Sequence, residues 1–175
     1  DIIEISDWSA TGTLRDIIYR QNGPLDSDLA LEISSGIAMA LRKAHEVNVI
    51  HRAVKPENIL MMNNIPKLMN FDLAYKFEEN HVTVIADFTK LKDDGYVAPE
   101  ILLGKDIDEG TDFFSLGAIA FELLTGVKAF SSVREYAAHG GRLSQQAVRK
   151  LAQAGVAGDI SKVLINMLIA DRKER

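Results

Sequence analysis

Cysteine is absent from the 175 residues, which excludes disulfides and thiolate metal sites. That absence fits a reducing compartment, and a cytoplasmic location is the expectation. No apolar run approaches the ~20 residues of a membrane-spanning helix, and no basic-then-apolar leader opens the chain. No Lys/Arg cluster with interleaved aromatics occurs, and the net charge is −5. A nucleic-acid or anionic-membrane partner would need a basic face, so neither is expected. Repeats, low-complexity tracts and linkers are missing too. His45, His81 and His139 lack ligand spacing, so exposed or internally satisfied histidines are expected rather than a metal site.

What is present suits one globular domain: 47% of residues are hydrophobic and 26% charged. The opening "DIIEIS" is strand-like and begins abruptly, and "SATGT" turns into a short helix, Leu14 to Arg20. In "NGPLDSD", Gly23 is expected to end that helix and Pro24 to block its continuation, while Asp26 or Ser27 caps the next. From Leu29, the residues Ile33, Ile37, Ala40, Leu41 and Ala44 recur at helical spacing, giving one buried stripe. "NILMMNNIPKL" reads as two strands joined at Asn63-Asn64, a common hairpin turn chemistry. Residues 70–100 show no sustained period and read as a long surface segment. "DFFSLGAIAFELLTG", Asp112 to Gly126, is apolar almost all round with Glu122 as its internal charge, the pattern of a central buried helix. Two further helices follow in "QQAVRKLAQAG" and "ISKVLINMLIAD". The class is mainly α with a small β-hairpin.

Five short motifs stand in order: "HRAVKPEN", "NFDLA", "YVAPE", "DFFSLG" and "DRKER". Together they resemble the carboxy-terminal lobe of a Hanks-type Ser/Thr protein kinase over nearly the whole chain. The resemblance implies a hinge strand at 1–8, a long helix at 25–48, and a catalytic loop with hairpin at 49–72. It implies an activation segment at 70–100, a central helix at 111–126 and terminal helices at 143–175. It also implies that the chain opens where a nucleotide-binding lobe would end. No Gly-rich loop and no Val-Ala-Ile-Lys lysine occur in this sequence, and that lobe is expected to be absent.

By the same resemblance, position 53 should hold the base that accepts the substrate hydroxyl proton, and here it is Ala53. Position 70 should hold the metal-binding aspartate, and here it is Asn70, a neutral donor where magnesium favours carboxylate. Asp72 offers one carboxylate two residues on, sharing a face with residue 70 if the backbone is extended. Lys55 would meet the transferred phosphate and Asn58 the second metal, or both persist only for the loop's own hydrogen bonds. Arg52 would pair with a phosphate on Thr83 or Thr89, or with a nearby carboxylate such as Asp87. Structural roles are implied for the rest. His51 packs under the loop with Phe71 against it, Asp112 accepts loop N–H groups, and Glu100 with Arg175 forms a buried ion pair.

The expectation is a pseudokinase lobe serving as a binding or regulatory module, with no cofactor. The alternative is a Ser/Thr kinase seen as a fragment or as a variant inactivated at Ala53, which would use ATP and magnesium. A protein partner or the missing lobe would cover Ile2, Ile3, Ile5 and Trp8, and a dimer is a further possibility.

Overall fold

The apolar stretch after Asp108 has no polar face to offer water, and the structure surrounds it with protein. In the computed structural model, which describes residues 12–76 and 92–175, helix α4 runs Glu109–Thr125. Every residue from Phe114 to Leu124 is buried. Asp108 caps its first turn, and Gly126 in a left-handed conformation ends it. The helix thus begins three residues before the expected Asp112.

Before it lie α1 (Leu14–Gln21) and α2 (Ser27–His45). Thr13 and Asp16 make a reciprocal capping box on α1. That helix ends at Asn22 in the left-handed region, not at Gly23 as expected; an asparagine tolerates that conformation too. Asp26 caps α2, which is shorter at both ends than the 25–48 expected because Pro24 and the turn after His45 delimit it. Its buried stripe is Ala30, Ile33, Ile37, Leu41 and His45; Ala40 and Ala44 lie at the stripe's edge.

Two small antiparallel pairs flank the loop between them. Strand β1 (Val49–Ile50) pairs with β4 (Tyr75–Lys76), and β2 (Ile59–Met62) with β3 (Ile65–Leu68). The β2–β3 turn is Asn63-Asn64, both at positive φ, as a two-residue hairpin of this hand requires. The hairpin lies on α2, where Gly36 faces Pro66 so closely that a Cβ would sit 2.6 Å from the proline ring.

After residue 92 the chain is not the surface segment expected for 70–100. Tyr96, Val97 and Ala98 are buried, and Pro99–Leu102 forms the short helix α3. Beyond α4 come α5 (Val133–Ala138), which carries too few apolar positions to be read from sequence, α6 (Gln145–Gln153) and α7 (Gly158–Met167). α2, α6 and α7 pack around α4, and Gly117 lets α7 approach to where a Cβ would meet Met167 at 2.9 Å. The core is therefore one cluster centred on α4. Among the described residues, no helix is long and apolar enough to cross a membrane.

Candidate functional site

The first turn of α4 places Asp112, fully buried, beneath the loop that follows β1. Its Oδ2 accepts the His51 amide at 2.8 Å and faces His45 Nε2 at 2.9 Å. Its Oδ1 accepts the Arg52 amide at 2.8 Å. A carboxylate near a helix N-terminus is favoured by the helix dipole, and here each oxygen also finds N–H donors, which offsets its desolvation. These bonds hold Arg52 at a φ of 65°, a left-handed conformation that is strained for a residue other than glycine.

The His51 imidazole lies edge-on to Phe71, with ring centroids 4.5 Å apart. Its Nδ1 accepts the Ala53 amide at 3.3 Å, so its Nε2 carries the proton and donates to the Met69 carbonyl at 3.1 Å. Burial pulls its pKa below the ordinary value, against the pull of Asp112. The Arg52 guanidinium donates to the Leu73 carbonyl and lies over the Tyr75 ring at 5.5 Å. Thr83, Asp87 and Thr89, its expected partners, fall outside the described residues, as do His81, Ile2, Ile3, Ile5 and Trp8.

Above this floor lies a cleft of about 330 Å³ lined by Arg52, Ala53, Lys55, Asn58, Asn70, Asp72 and Lys92, among others. At residue 53 only a methyl faces it. The Ala53 carbonyl accepts from Asn58 Nδ2 at 2.8 Å, which fixes the amide's orientation, because a carbonyl cannot donate. Asn58 Oδ1 is thereby turned to Asn70, whose Nδ2 donates to it at 2.9 Å. The two side chains expected at the metal therefore satisfy each other as neutral amides. This donor set does not fit magnesium: an amide hydrogen points at the oxygen a hard cation would need. Among the described residues no group of three His, Cys, Asp or Glu side chains converges on a metal position.

Asn70 has a φ of 62°, and Phe71–Leu73 is a 3₁₀ turn, so residues 70 and 72 do not share a strand face as supposed. Asp72 still reaches the same cleft, by a different backbone route, and is exposed there. Lys55 Nζ stands 3.5 Å from Asp94 Oδ2. His139 is exposed, its ring bonded to the Glu135 carbonyl at 2.9 Å, and His45 is the internally satisfied histidine.

Two further clusters bound the site. The side chains of Glu100 and Arg175 are both buried and meet at 2.8 Å; Arg175 also donates to the Gly110 carbonyl at 2.7 Å. On the other side, Arg15 from α1 reaches Glu57 at 2.9 Å and Glu122 at 3.1 Å, and donates to the Tyr96 hydroxyl, which itself donates to Glu122. Sequence reasoning missed this second cluster. Its one signal was Glu122 inside an apolar helix, since a buried carboxylate demands a partner. Nothing in the sequence singles out Arg15 as that partner.

A protein kinase domain model matches residues 2–175. The Ser/Thr protein kinase PknB of Mycolicibacterium smegmatis is 35% identical over 119 residues, covering 67% of this chain and 19% of that protein. PknB of Mycobacterium tuberculosis is 28% identical over 165 residues, 93% of this chain and 26% of its own length. An Aurora kinase of Saccharomyces cerevisiae is 30% identical over 161 residues, 90% of this chain and 41% of its own. The chain thus spans less than half the length of each of these relatives. With the loop after β1, the Asn70–Asp72 turn and the Glu100–Arg175 ion pair assembled on one helical frame, and a match along almost all its length, the chain belongs to the protein kinase domain family.

Proposed function

We propose that this is a pseudokinase domain, a kinase frame that serves as a binding or regulatory module and does not transfer phosphate. One observation carries the reading. The Asn70–Asn58–Ala53 relay fills with neutral hydrogen bonds the ground on which the family's base and metal carboxylate stand. Phosphoryl transfer relies on positioning and charge neutralisation, and a positioned base alone contributes ~10²–10⁴-fold in rate. Ala53 can neither take the substrate proton nor orient the hydroxyl, and Asn70 brings no negative charge to a metal. No cofactor is required for such a role. The partner we favour is a protein, with Ile2, Ile3, Ile5 and Trp8 as the apolar residues it would cover or that a second copy would bury.

A second reading is a Ser/Thr kinase using ATP and magnesium, favoured by Lys55 and Asn58 in the cleft and by what the relatives' names say of them. A radiolabelled-phosphate assay separates the two. The full-length protein, supplied with ATP, magnesium and a generic basic protein substrate, should incorporate nothing above background. Incorporation that is lost in Lys55→Met would overturn the pseudokinase reading in favour of the kinase one.

A further inference from the structure

A closed ring of hydrogen bonds lies beneath the cleft, and the His51 imidazole makes two of its links. Its Nδ1 accepts the Ala53 amide at 3.3 Å. The Ala53 carbonyl accepts Asn58 Nδ2 at 2.8 Å, and the Asn58 carbonyl accepts the Met69 amide at 3.0 Å. The Met69 carbonyl then accepts His51 Nε2 at 3.1 Å and completes the circuit. Asn70 hangs on it through Asn58 Oδ1 at 2.9 Å. Ala53, Asn58 and Asn70 all line the cleft, so this ring sets the shape of its floor. The histidine itself is fully buried. A neutral imidazole with its proton on Nε2 fits the circuit. A second proton would sit on Nδ1 and face the Ala53 N–H, donor against donor. Turning the ring over would not relieve this, because an imidazolium has no acceptor to offer.

We propose that His51 is a proton-operated latch on the cleft. Neutral, it closes the ring; in mild acid it takes a proton from solvent at Nδ1, lets go of the Ala53 amide and frees the Asn58 and Asn70 side chains. The inference goes beyond the pseudokinase reading and does not depend on it, since the ring stands whichever way the phosphotransfer assay falls. Among the described residues, Asp112 from α4 accepts the His51 backbone amide, and His45 from α2 meets the same carboxylate oxygen. The Arg52 guanidinium points away to the Leu73 carbonyl, and Asp72, beyond Phe71, is exposed. Asp112 favours a charged imidazole, but burial outweighs it and keeps the closed form neutral. An opened loop would accept a proton near the ordinary value of about 6.5, and the closed loop refuses it there. The closed form is therefore fully favoured above that value. Below it, the ratio of open to closed loop rises about tenfold per pH unit until the lower closed-state value is reached.

NMR on the full-length protein between pH 7.5 and pH 5 tests it, with the Ala53 amide and the Asn58 and Asn70 side-chain amides as probes. All should shift together and reversibly, while the amides of α6 and α7 keep their folded positions. The His51 ring protons should move over the same pH range. His51→Asn puts an oxygen where Nδ1 stands and has no proton to gain there, so its Ala53 amide should stay constant. His45→Gln should leave the parent titration in place. Constant probes in the parent would overturn the proposal. So would a titration that survives in His51→Asn or vanishes in His45→Gln, or a change seen only when α6 and α7 unfold as well. Should His51→Asn fail to fold, the parent decides: His51 ring protons and Ala53 amide titrating together support the latch, and separate titrations refute it.

Discussion

Arg175 closes on Glu100 from 75 residues away in sequence, at 2.8 Å and with both side chains nearly sealed from water. Glu100 also accepts from Thr111 at 3.0 Å, and the guanidinium lies over Phe114 at 4.9 Å. The pair ties α3 to the end of the chain. Removing one partner of a buried pair costs about 3–5 kcal/mol, because the other charge is stranded. Glu100→Ala should therefore lower the urea midpoint severely, and a midpoint like that of the unmodified protein would contradict the burial seen here.

Asn70→Asp should destabilise the apo protein at neutral pH. A carboxylate there would face the Asn58 carbonyl oxygen, acceptor against acceptor, in place of the 2.9 Å hydrogen bond. Loss of such a bond with an unsatisfied partner costs ~1–3 kcal/mol. Magnesium should recover part of the loss in the variant and do nothing for the parent. Thermal melts with and without the ion measure both; equal responses in the two proteins would sink the account.

His51 makes stability depend on pH. Burial depresses its folded-state pKa, so the unfolded chain takes up a proton near the ordinary value of about 6.5 that the folded chain refuses. Stability should accordingly be constant in this respect above that value and fall as pH drops through it toward the lower folded value. Protonation would also set an Nδ1 hydrogen against the Ala53 amide. Denaturation at pH 7 and pH 5 should show a steeper loss in the parent than in His51→Asn. Parallel slopes would mean the ring already carries a proton when folded.

Arg15→Met should cost about 1–3 kcal/mol by leaving the buried Glu122 with the Tyr96 hydroxyl alone. The Glu57 contact, half in water, should add little. Glu122→Gln in the same chain should restore part of the loss, because the stranded charge disappears. Strict additivity of the two substitutions would show that Arg15 contributes only packing.

Much of the frame was legible because it is written in periodicity and turn chemistry. The stripe of α2, the all-round apolarity of α4 and Asn63-Asn64 each follow from a local rule. What failed was nonlocal or too short. α5, at six residues, carries no period to detect. Residues 95–98 are buried by tertiary contact; Gly95, where a Cβ would lie 2.1 Å from the Phe130 carbonyl, passes without any periodic signature. At the site, the missing carboxylates could be read directly, as a difference from a motif. That Asn58 and Asn70 would turn to each other, and that Arg15 would cross to Glu122, depends on distances no single sequence contains.

Asp112 settles the backbone bonds of residues 51 and 52 from underneath, so the course of that loop does not depend on which side chain residue 53 presents upward. Folding and chemistry are thereby assigned to different storeys of the same structure. Exchanging carboxylate for methyl at 53 touches neither of those two bonds. A lineage holding such a loop can retire one activity and try another through single viable steps, because the substitutions that change the upper storey leave the lower one intact.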